Sequence, residues 1–478
     1  MLLRRFYDDS LAQASYMLGC QRSGEAVVVD PGRRPEPYLA AAAEESVRIV
    51  CVTETHIHAD FLSGSRELAR VANARLLLSD HGDEDWSYRY LDEDGARPLR
   101  DGEEFSVGAV SLRVLHTPGH TPEHISFLVT DGGVSGAPAD GVRSSPPPPL
   151  ALLSGDFVFV GDVGRPDLLE VAAGETGTME ASARQLYASL QRFRELPVHV
   201  QLLPGHGAGS ACGKALGAVP SSTVGYELLA NWVFQCADED EFVAKVLEDQ
   251  PEPPAYFAHM KRLNRAGPPA PPDRRLERAD LHRALSMRHD GWTLLDVRTR
   301  AQFAGGHLPE SLNVPLTRTL PTWAGWVVPY DRPICVVVET EGQVRPTTEL
   351  LLKIGLDDVQ AFHILSDPAA SPELGAVVVL DWDEAERARI EEGAVLVDVR
   401  GKIEWDEGRV PGAVRIHLGE LSVRVGELPR DRPALLHCRT GHRSAIGASI
   451  LAAAGHPDVR NVEGGWLDRL ARGMDVER

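Results

Sequence analysis

Four short segments of this 478-residue chain put histidine and aspartate where they could share a metal ion. They are Thr55-His56-Ile57-His58-Ala59-Asp60, Thr117-Pro118-Gly119-His120 with His124 close behind, Ser154-Gly155-Asp156, and Pro204-Gly205-His206-Gly207. A lone histidine is usually a satisfied core or surface residue. Several imidazoles and carboxylates, each at the end of its own strand, make a donor set for a metal with positions left for substrate. A fifth segment, His437-Cys438-Arg439-Thr440-Gly441-His442-Arg443-Ser444, offers a thiol where a strand gives way to a helix. Backbone N–H groups, the helix N-terminus, Arg439 and Arg443 are expected to favour the thiolate of Cys438. A thiolate can accept a sulfane sulfur and hold it as a persulfide.

The elements around these residues read as alternating α and β structure. Ala26–Asp30 and Val47–Thr53 are β-rich, and the second delivers the His56 loop at its end. Ser111–His116, Ile125–Val129 and Leu150–Leu153 are further strands, and Glu180–Glu195 is an amphipathic helix. Ser63–Val71 reads as a helix capped by Ser63. The Gly-, Ser- and Pro-rich stretch Asp131–Pro149 cannot pair in a sheet and is expected to be a surface insertion. Pro251–Pro272 has the composition of a stiff extended connector and marks a domain boundary.

Beyond that boundary the sequence repeats itself. Leu294-Leu-Asp-Val-Arg matches Leu396-Val-Asp-Val-Arg, Gly306-His-Leu-Pro matches Gly408-Arg-Val-Pro, and Asp331-Arg-Pro matches Asp431-Arg-Pro. The expected domains are 1–250, a linker at 251–275, and two copies of one α/β module at 276–375 and 380–478. Val338 stands in the first copy where Cys438 stands in the second, with Glu339 and Glu341 nearby. The first copy therefore lacks a nucleophile and is expected to be an inactive spacer or an oligomer contact.

Length predicts roughly three domains. A hydrophobic content of 43% with 25% charged residues is that of an ordinary soluble protein. No apolar run is long enough for a bilayer. Acids follow closely on Met1, so export is not expected and a cytoplasmic location is. The net charge of −21 argues against nucleic acid and anionic membrane as partners. The six cysteines show no paired spacing, so free thiols are the default; Cys20 is either a structural thiol or one that reaches the metal site.

The four metal-candidate loops together resemble the metallo-β-lactamase superfamily, which implies an αββα sandwich over residues 1 to about 230. In that family H-x-H-x-D-H opens a two-metal site, and its final histidine serves the second metal. Phe61 stands at that position here and has no lone pair to give. The resemblance thus implies one metal rather than two. Within the superfamily the chain is similar to the persulfide dioxygenases in Thr55-His-Ile-His-Ala-Asp, Pro118-Gly-His-Thr-Pro, and Ser154-Gly-Asp-x5-Asp-Val-Gly-Arg-Pro-Asp167. That resemblance implies one Fe(II) per chain held by His56, His120 and Asp156, with His58, Asp60 and His206 orienting the ligands. Ligation by His58 as well, as in zinc members, is the alternative. Arg165 and Lys214 are candidates for the carboxylates of a thiol carrier such as glutathione, or are ordinary cations.

Asp398-Val-Arg400, Gly408 to Pro411 and His437 to Ser444 resemble the rhodanese family, which implies sulfur transfer through Cys438. A cysteine phosphatase needs Cys-x5-Arg; here that spacing leads to Ser444, and Arg443 comes one residue early. The combined reading is an α/β fusion enzyme, expected to be a homo-oligomer, acting on a small-molecule thiol persulfide and O2. Sulfite and thiosulfate would be its other partners. A zinc thioester hydrolase of the glyoxalase II type and a non-oxidising sulfur carrier are the alternatives.

Overall fold

Gln13–Cys20 is buried along its whole length, as expected of a strand covered on both faces. The structure, a computed structural model, describes residues 1–133, 147–168, 177–214, 216–366 and 373–478. The chain divides into two compact units, Met1–Pro271 and Pro272–Arg478, with Lys353–Gly355 grouped with the first.

Among the described residues the first unit holds two six-stranded sheets. One runs in chain order through β1 (Leu2–Asp8), β2 (Gln13–Cys20), β3 (Glu25–Val29), β4 (Arg48–Thr53), β5 (Arg75–Ser79) and β6 (Arg97–Leu99). The other contains β7 (Glu104–Val107), β8 (Val110–His116), β9 (Ile125–Asp131), β10 (Ala151–Gly155), β11 (Gln201–Pro204) and β12 (Ser222–Thr223). The period of two sends alternate side chains to different layers. Val27 and Val29 enter the core between the sheets, while Ala26 and Val28 meet the helices Glu36–Glu44 and Ser65–Ala72 outside. Leu153 faces the inter-sheet core, and Leu152 meets the helices Met179–Arg194 and Glu239–Leu247. This is the expected αββα sandwich.

The second unit confirms the repeat. Its strands are β13 (Glu277–Ala279), β14 (Thr293–Asp296), β15 (Leu312–Asn313), β16 (Ile334–Val338) and β17 (Val359–Ile364), then β18 (Val378–Leu380), β19 (Val395–Asp398), β20 (Val414–Arg415), β21 (Ala434–His437) and β22 (Val459–Val462). The two parallel sheets run β13-β17-β16-β14-β15 and β18-β22-β21-β19-β20, the same topology twice. The repeated Asp-Val-Arg and Gly-x-x-Pro segments belong to one device. Arg298 forks onto Asp296 and donates to Gly306 O at 2.9 Å; Arg400 forks onto Asp398 and donates to Gly408 O at 2.8 Å. Each pair is fully buried, so removing one partner would cost about 3–5 kcal/mol.

Several expectations change. The Pro-rich stretch is not extended throughout, because Tyr256–Ala266 is a helix with Tyr256, Phe257, Met260, Lys261 and Asn264 buried. Its prolines flank the helix rather than interrupt it. The helix after the His56 loop begins at Ser65 with Gly64 at its N-cap, and Ser63 Oγ instead accepts from Ser65 N–H at 3.0 Å. Cys20 ends β2 opposite Gln13, whose backbone bridges His206, so it lies roughly 23 Å of strand away from the metal-candidate loops. Most of Asp131–Pro149 lies outside the described residues. Among the described residues no helix is long and apolar enough to cross a membrane.

Candidate metal centre and thiol site

The candidate metal-binding segments converge beyond the C-terminal ends of four strands. His56 and His58 follow β4, His120 follows β8, Asp156 follows β10 and His206 follows β11. His56, His120 and Asp156 each bring one ligand atom to a buried group whose members lie within 4.8 Å of one another. The two Nε2 atoms stand 3.9 and 3.6 Å from Asp156 Oδ2.

Hydrogen bonds behind the rings decide which nitrogen is free. His120 Nδ1 lies 3.0 Å from the carbonyl of Arg165, which can only accept, so Nδ1 carries the proton and Nε2 the lone pair. Thr55 Oγ1 gives its proton to Asp30 Oδ2 at 2.9 Å and is left as an acceptor for His56 Nδ1 at 3.0 Å. Burial lowers the pKa of both rings, keeping them neutral. Asp156 Oδ2 is buried without a hydrogen-bond partner, a costly state that a bound cation relieves. Two aimed lone pairs and one bare carboxylate oxygen fit a metal ion.

The other predicted residues stand behind this group. His206 bridges Asp156 Oδ1 at 2.7 Å and Asp60 Oδ2 at 2.8 Å. Burial opposes charge on His206, but the two carboxylates outweigh it and hold its pKa well above the imidazole range. Burial likewise opposes the Asp156 carboxylate, yet His206, His56 and His120 hold its pKa well below the usual range. His58 Nε2 pairs with Asp30 Oδ1 at 3.1 Å, and His58 is not among the three residues grouped above. His124 accepts from Asp156 N–H at 3.1 Å, so it holds that backbone. Three residues that sequence reading passed over pin the His56 loop: Asp30 accepts from Thr55 N–H at 2.7 Å, Glu123 accepts from Ile57 N–H at 2.7 Å, and Asn264 acts as described below. A second buried group brings Cys212 beside Asp60 and His206.

Cys438 follows β21 directly, and the helix His442–Ala453 begins four residues on. Its buried Sγ accepts from Gly441 N–H at 3.2 Å and Ser444 O–H at 3.6 Å. Gly441 has φ of +87°, which a side chain would strain. Trp466 N–H donates to Cys438 O at 2.7 Å, and a Cβ on Gly465 would meet that oxygen at 2.3 Å, so the Gly464-Gly465 turn braces the loop from behind. Arg439 is exposed. Arg443 ties both its terminal nitrogens to Glu404 at 2.5 and 2.7 Å, and its charge acts on that carboxylate and on Cys438 together. In the first copy Gln343 Oε1 takes the N–H groups of Glu339 and Thr340 at 2.8 and 3.3 Å, filling the cradle with a side chain.

Residues 9–134 match the Metallo-beta-lactamase superfamily, and residues 280–363 and 381–469 each match the Rhodanese-like domain. A solved metallo-β-lactamase from Staphylococcus aureus is 39% identical, with a TM-score of 0.69, over 76% of this chain and 99% of that one. The chain belongs to the metallo-β-lactamase superfamily. It carries two rhodanese-like domains after its metallo-β-lactamase domain. The structure of ETHE1 from Myxococcus xanthus is 25% identical, with a TM-score of 0.43, over 56% of this chain and 99% of that one. A hydroxyacylglutathione hydrolase from Methylococcus capsulatus is 31% identical over 40% of this chain, which spans 60% of that relative's length.

Two cations of the metallo-β-lactamase domain turn out to be engaged. Arg165 is fully buried, forked onto Asp167 at 2.7 and 2.5 Å, and donates to Ala211 O and Pro251 O. Lys214 Nζ donates to Lys245 O and Glu248 O, capping the helix Glu239–Leu247. Both fasten the domain to itself: Arg165 has its charge paired with Asp167, while Lys214 is held by two carbonyls.

The helix Tyr256–Ala266 clamps the metal loop of the metallo-β-lactamase domain. Asn264 Nδ2 donates to His58 O at 2.7 Å and Phe61 O at 2.8 Å, and its Oδ1 accepts from Ser63 N–H at 2.9 Å. Tyr256 O–H donates to Asp60 O at 3.2 Å. Asn264→Ala strands buried loop groups and is expected to cost about 2–3 kcal/mol of stability. It should also weaken metal binding about tenfold. Thermal unfolding and chelator competition check both, and unchanged metal affinity would mean the clamp is dispensable.

Proposed function

We propose that the metallo-β-lactamase domain oxidises a low-molecular-weight thiol persulfide, with glutathione persulfide as the first candidate, using O2 at one Fe(II) held by His56, His120 and Asp156. The observation that carries this reading is the ligand set itself. Two imidazoles with Nε2 free and one carboxylate with a bare oxygen are the donor set that a two-histidine, one-carboxylate iron site would use, and Phe61 supplies no donor for a second ion. Iron held by His56, His120 and Asp156 would supply the redox chemistry that O2 and the terminal sulfur require. The protein's own share is to hold the ligand tautomers through Thr55 and the Arg165 carbonyl, and to keep the Asp156 carboxylate ionised through His206. In balance, RSSH, O2 and H2O give RSH and sulfurous acid, which ionises to sulfite.

The second rhodanese-like domain then moves sulfane sulfur. A Cys438 persulfide passes its outer sulfur to sulfite, giving thiosulfate and the free thiolate, or the reverse. Gly441 N–H and Ser444 O–H support the sulfur that is left. Joining the two activities is useful because the sulfite made by one is the acceptor of the other. The protein is proposed to act in the cytoplasm, on these small molecules.

A zinc thioester hydrolase is the second reading. It is favoured by the hydroxyacylglutathione hydrolase relative and by the group Asp60, His206 and Cys212, where a second ion would have to sit without a donor from Phe61. Anaerobic loading followed by metal analysis and oxygen uptake separates the two. Near one iron per chain, rapid uptake on adding glutathione persulfide, and sulfite or thiosulfate as products are expected. Near two zincs with thioester hydrolysis and no uptake would overturn the dioxygenase.

A further inference from the structure

Asp30 closes β3 in the left-handed region, at φ of +52°, a conformation an aspartate adopts at some cost and keeps when its surroundings require it. Its side chain touches the metal-binding loop at two places with opposite consequences. Oδ2 takes the proton of Thr55 Oγ1 at 2.9 Å, which makes Thr55 an acceptor for His56 Nδ1 and turns His56 Nε2 free toward Asp156. Oδ1 takes Thr55 N–H at 2.7 Å and also His58 Nε2 at 3.1 Å. Gln13 Nε2 donates to Asp30 O at 2.9 Å, so the residue is fixed from its other side as well.

His58 is close enough to matter. Its ring centroid is 4.2 Å from that of His56 and 4.4 Å from that of Phe61, and its Nδ1 has no partner. Yet it does not join His56, His120 and Asp156 in the group within 4.8 Å. A third imidazole would convert a two-nitrogen, one-carboxylate set into a nitrogen-rich set that fills a tetrahedral zinc site.

We propose that Asp30 is a positioning residue that turns His56 into the coordination sphere and withholds His58 from it, so that one carboxylate sets the number of imidazoles on the metal. The proposal rests on the reading of His56, His120 and Asp156 as metal ligands, and on neither substrate nor reaction.

The test counts imidazoles. The full-length protein is loaded anaerobically with Fe(II), nitric oxide is added as a spectroscopic probe, and pulsed electron paramagnetic resonance counts the coupled ring nitrogens. Asp30→Asn keeps one side-chain oxygen for Thr55 Oγ1, and so keeps His56 in place, but loses the charge that holds His58. Two imidazoles are expected in the native protein and in His58→Gln, three in Asp30→Asn, and two again in the double variant. Asp30→Asn should also shift the ratio of bound Zn(II) to Fe(II), in competition, about tenfold toward zinc, and the double variant should restore it.

Three imidazoles in the native protein, or a loss of one in His58→Gln, would show that His58 already ligates and would overturn the proposal. Two in Asp30→Asn would overturn it too, and a zinc shift that persists in the double variant would assign the effect to Thr55 instead. If Asp30→Asn does not fold, competition in native protein and His58→Gln still tests the withholding, because a ratio changed by His58→Gln would show that His58 ligates and would overturn the proposal. None of these readouts uses a persulfide, so failure of the dioxygenase reading would leave the count intact. A protein that binds no metal at the triad would fail both.

Discussion

Cys438→Ser lowers sulfur transfer from thiosulfate to a thiol acceptor by about a thousandfold or more, and leaves persulfide-dependent oxygen uptake near its native rate. A hydroxyl has the same hydrogen-bond partners in Gly441 N–H and the Ser444 hydroxyl, and the serine fits the loop. It cannot carry a sulfane sulfur, and removing a covalent nucleophile removes the route that depends on it. The product ratio should change as well, with sulfite accumulating in place of thiosulfate. Chromatography of the sulfur oxyanions alongside an oxygen electrode measures both. A folded, iron-loaded variant that lost both activities would mean that the two sites are not chemically separate.

Asp156→Ala is expected to have the second large effect. It removes the only carboxylate of the triad, lowers metal affinity by at least about a hundredfold, and abolishes oxygen uptake. The consequence extends past the ligand, because Asp156 Oδ1 is one of two carboxylate oxygens that hold His206. Without it, a buried imidazole that the pair had kept protonated is left with Asp60 alone, and part of its reason to carry charge is gone. Rhodanese activity through Cys438 should persist at the native rate. Metal analysis after gel filtration and the two activity assays form the check, and full iron occupancy in the variant would remove Asp156 from the ligand set.

Much of the site was legible because its chemistry is local in sequence. His56, His120, Asp156 and His206 each follow a strand within a few residues, and strand ends are what short apolar runs reveal best. The repeat was legible for the same reason. What was not legible depended on distance along the chain or on partnership. Asp30, Glu123 and Asn264 meet the His56 loop from 25, 66 and about 200 residues away, and nothing in their own neighbourhoods distinguishes them from ordinary polar residues. Arg165 and Lys214 look like free cations until Asp167 and the helix carbonyls of Lys245 and Glu248 are seen beside them. The pairing of Arg443 was hidden in the same way, since Glu404 lies 39 residues earlier. The missing nucleophile of the first copy was legible in Val338, but Gln343, whose amide oxygen occupies the loop N–H groups themselves, was not. The helix Tyr256–Ala266 was hidden by averaging composition over a stretch whose prolines all fall outside it.

That helix decides where the polypeptide can be cut. Judged by composition, the first domain would be severed near Gln250, and the fragment would be missing Tyr256 and Asn264. The fragment would keep every candidate ligand, but its His56 loop would lose four hydrogen bonds to its backbone, and the buried side chains of Tyr256, Phe257 and Met260 would be gone. Such a fragment would retain the whole motif while holding its metal weakly, and its poor occupancy could be mistaken for a wrong choice of cofactor. Ending the fragment at Pro271 keeps the clamp, so the boundary useful to an experimenter lies on the far side of the prolines from the one that the motif implies.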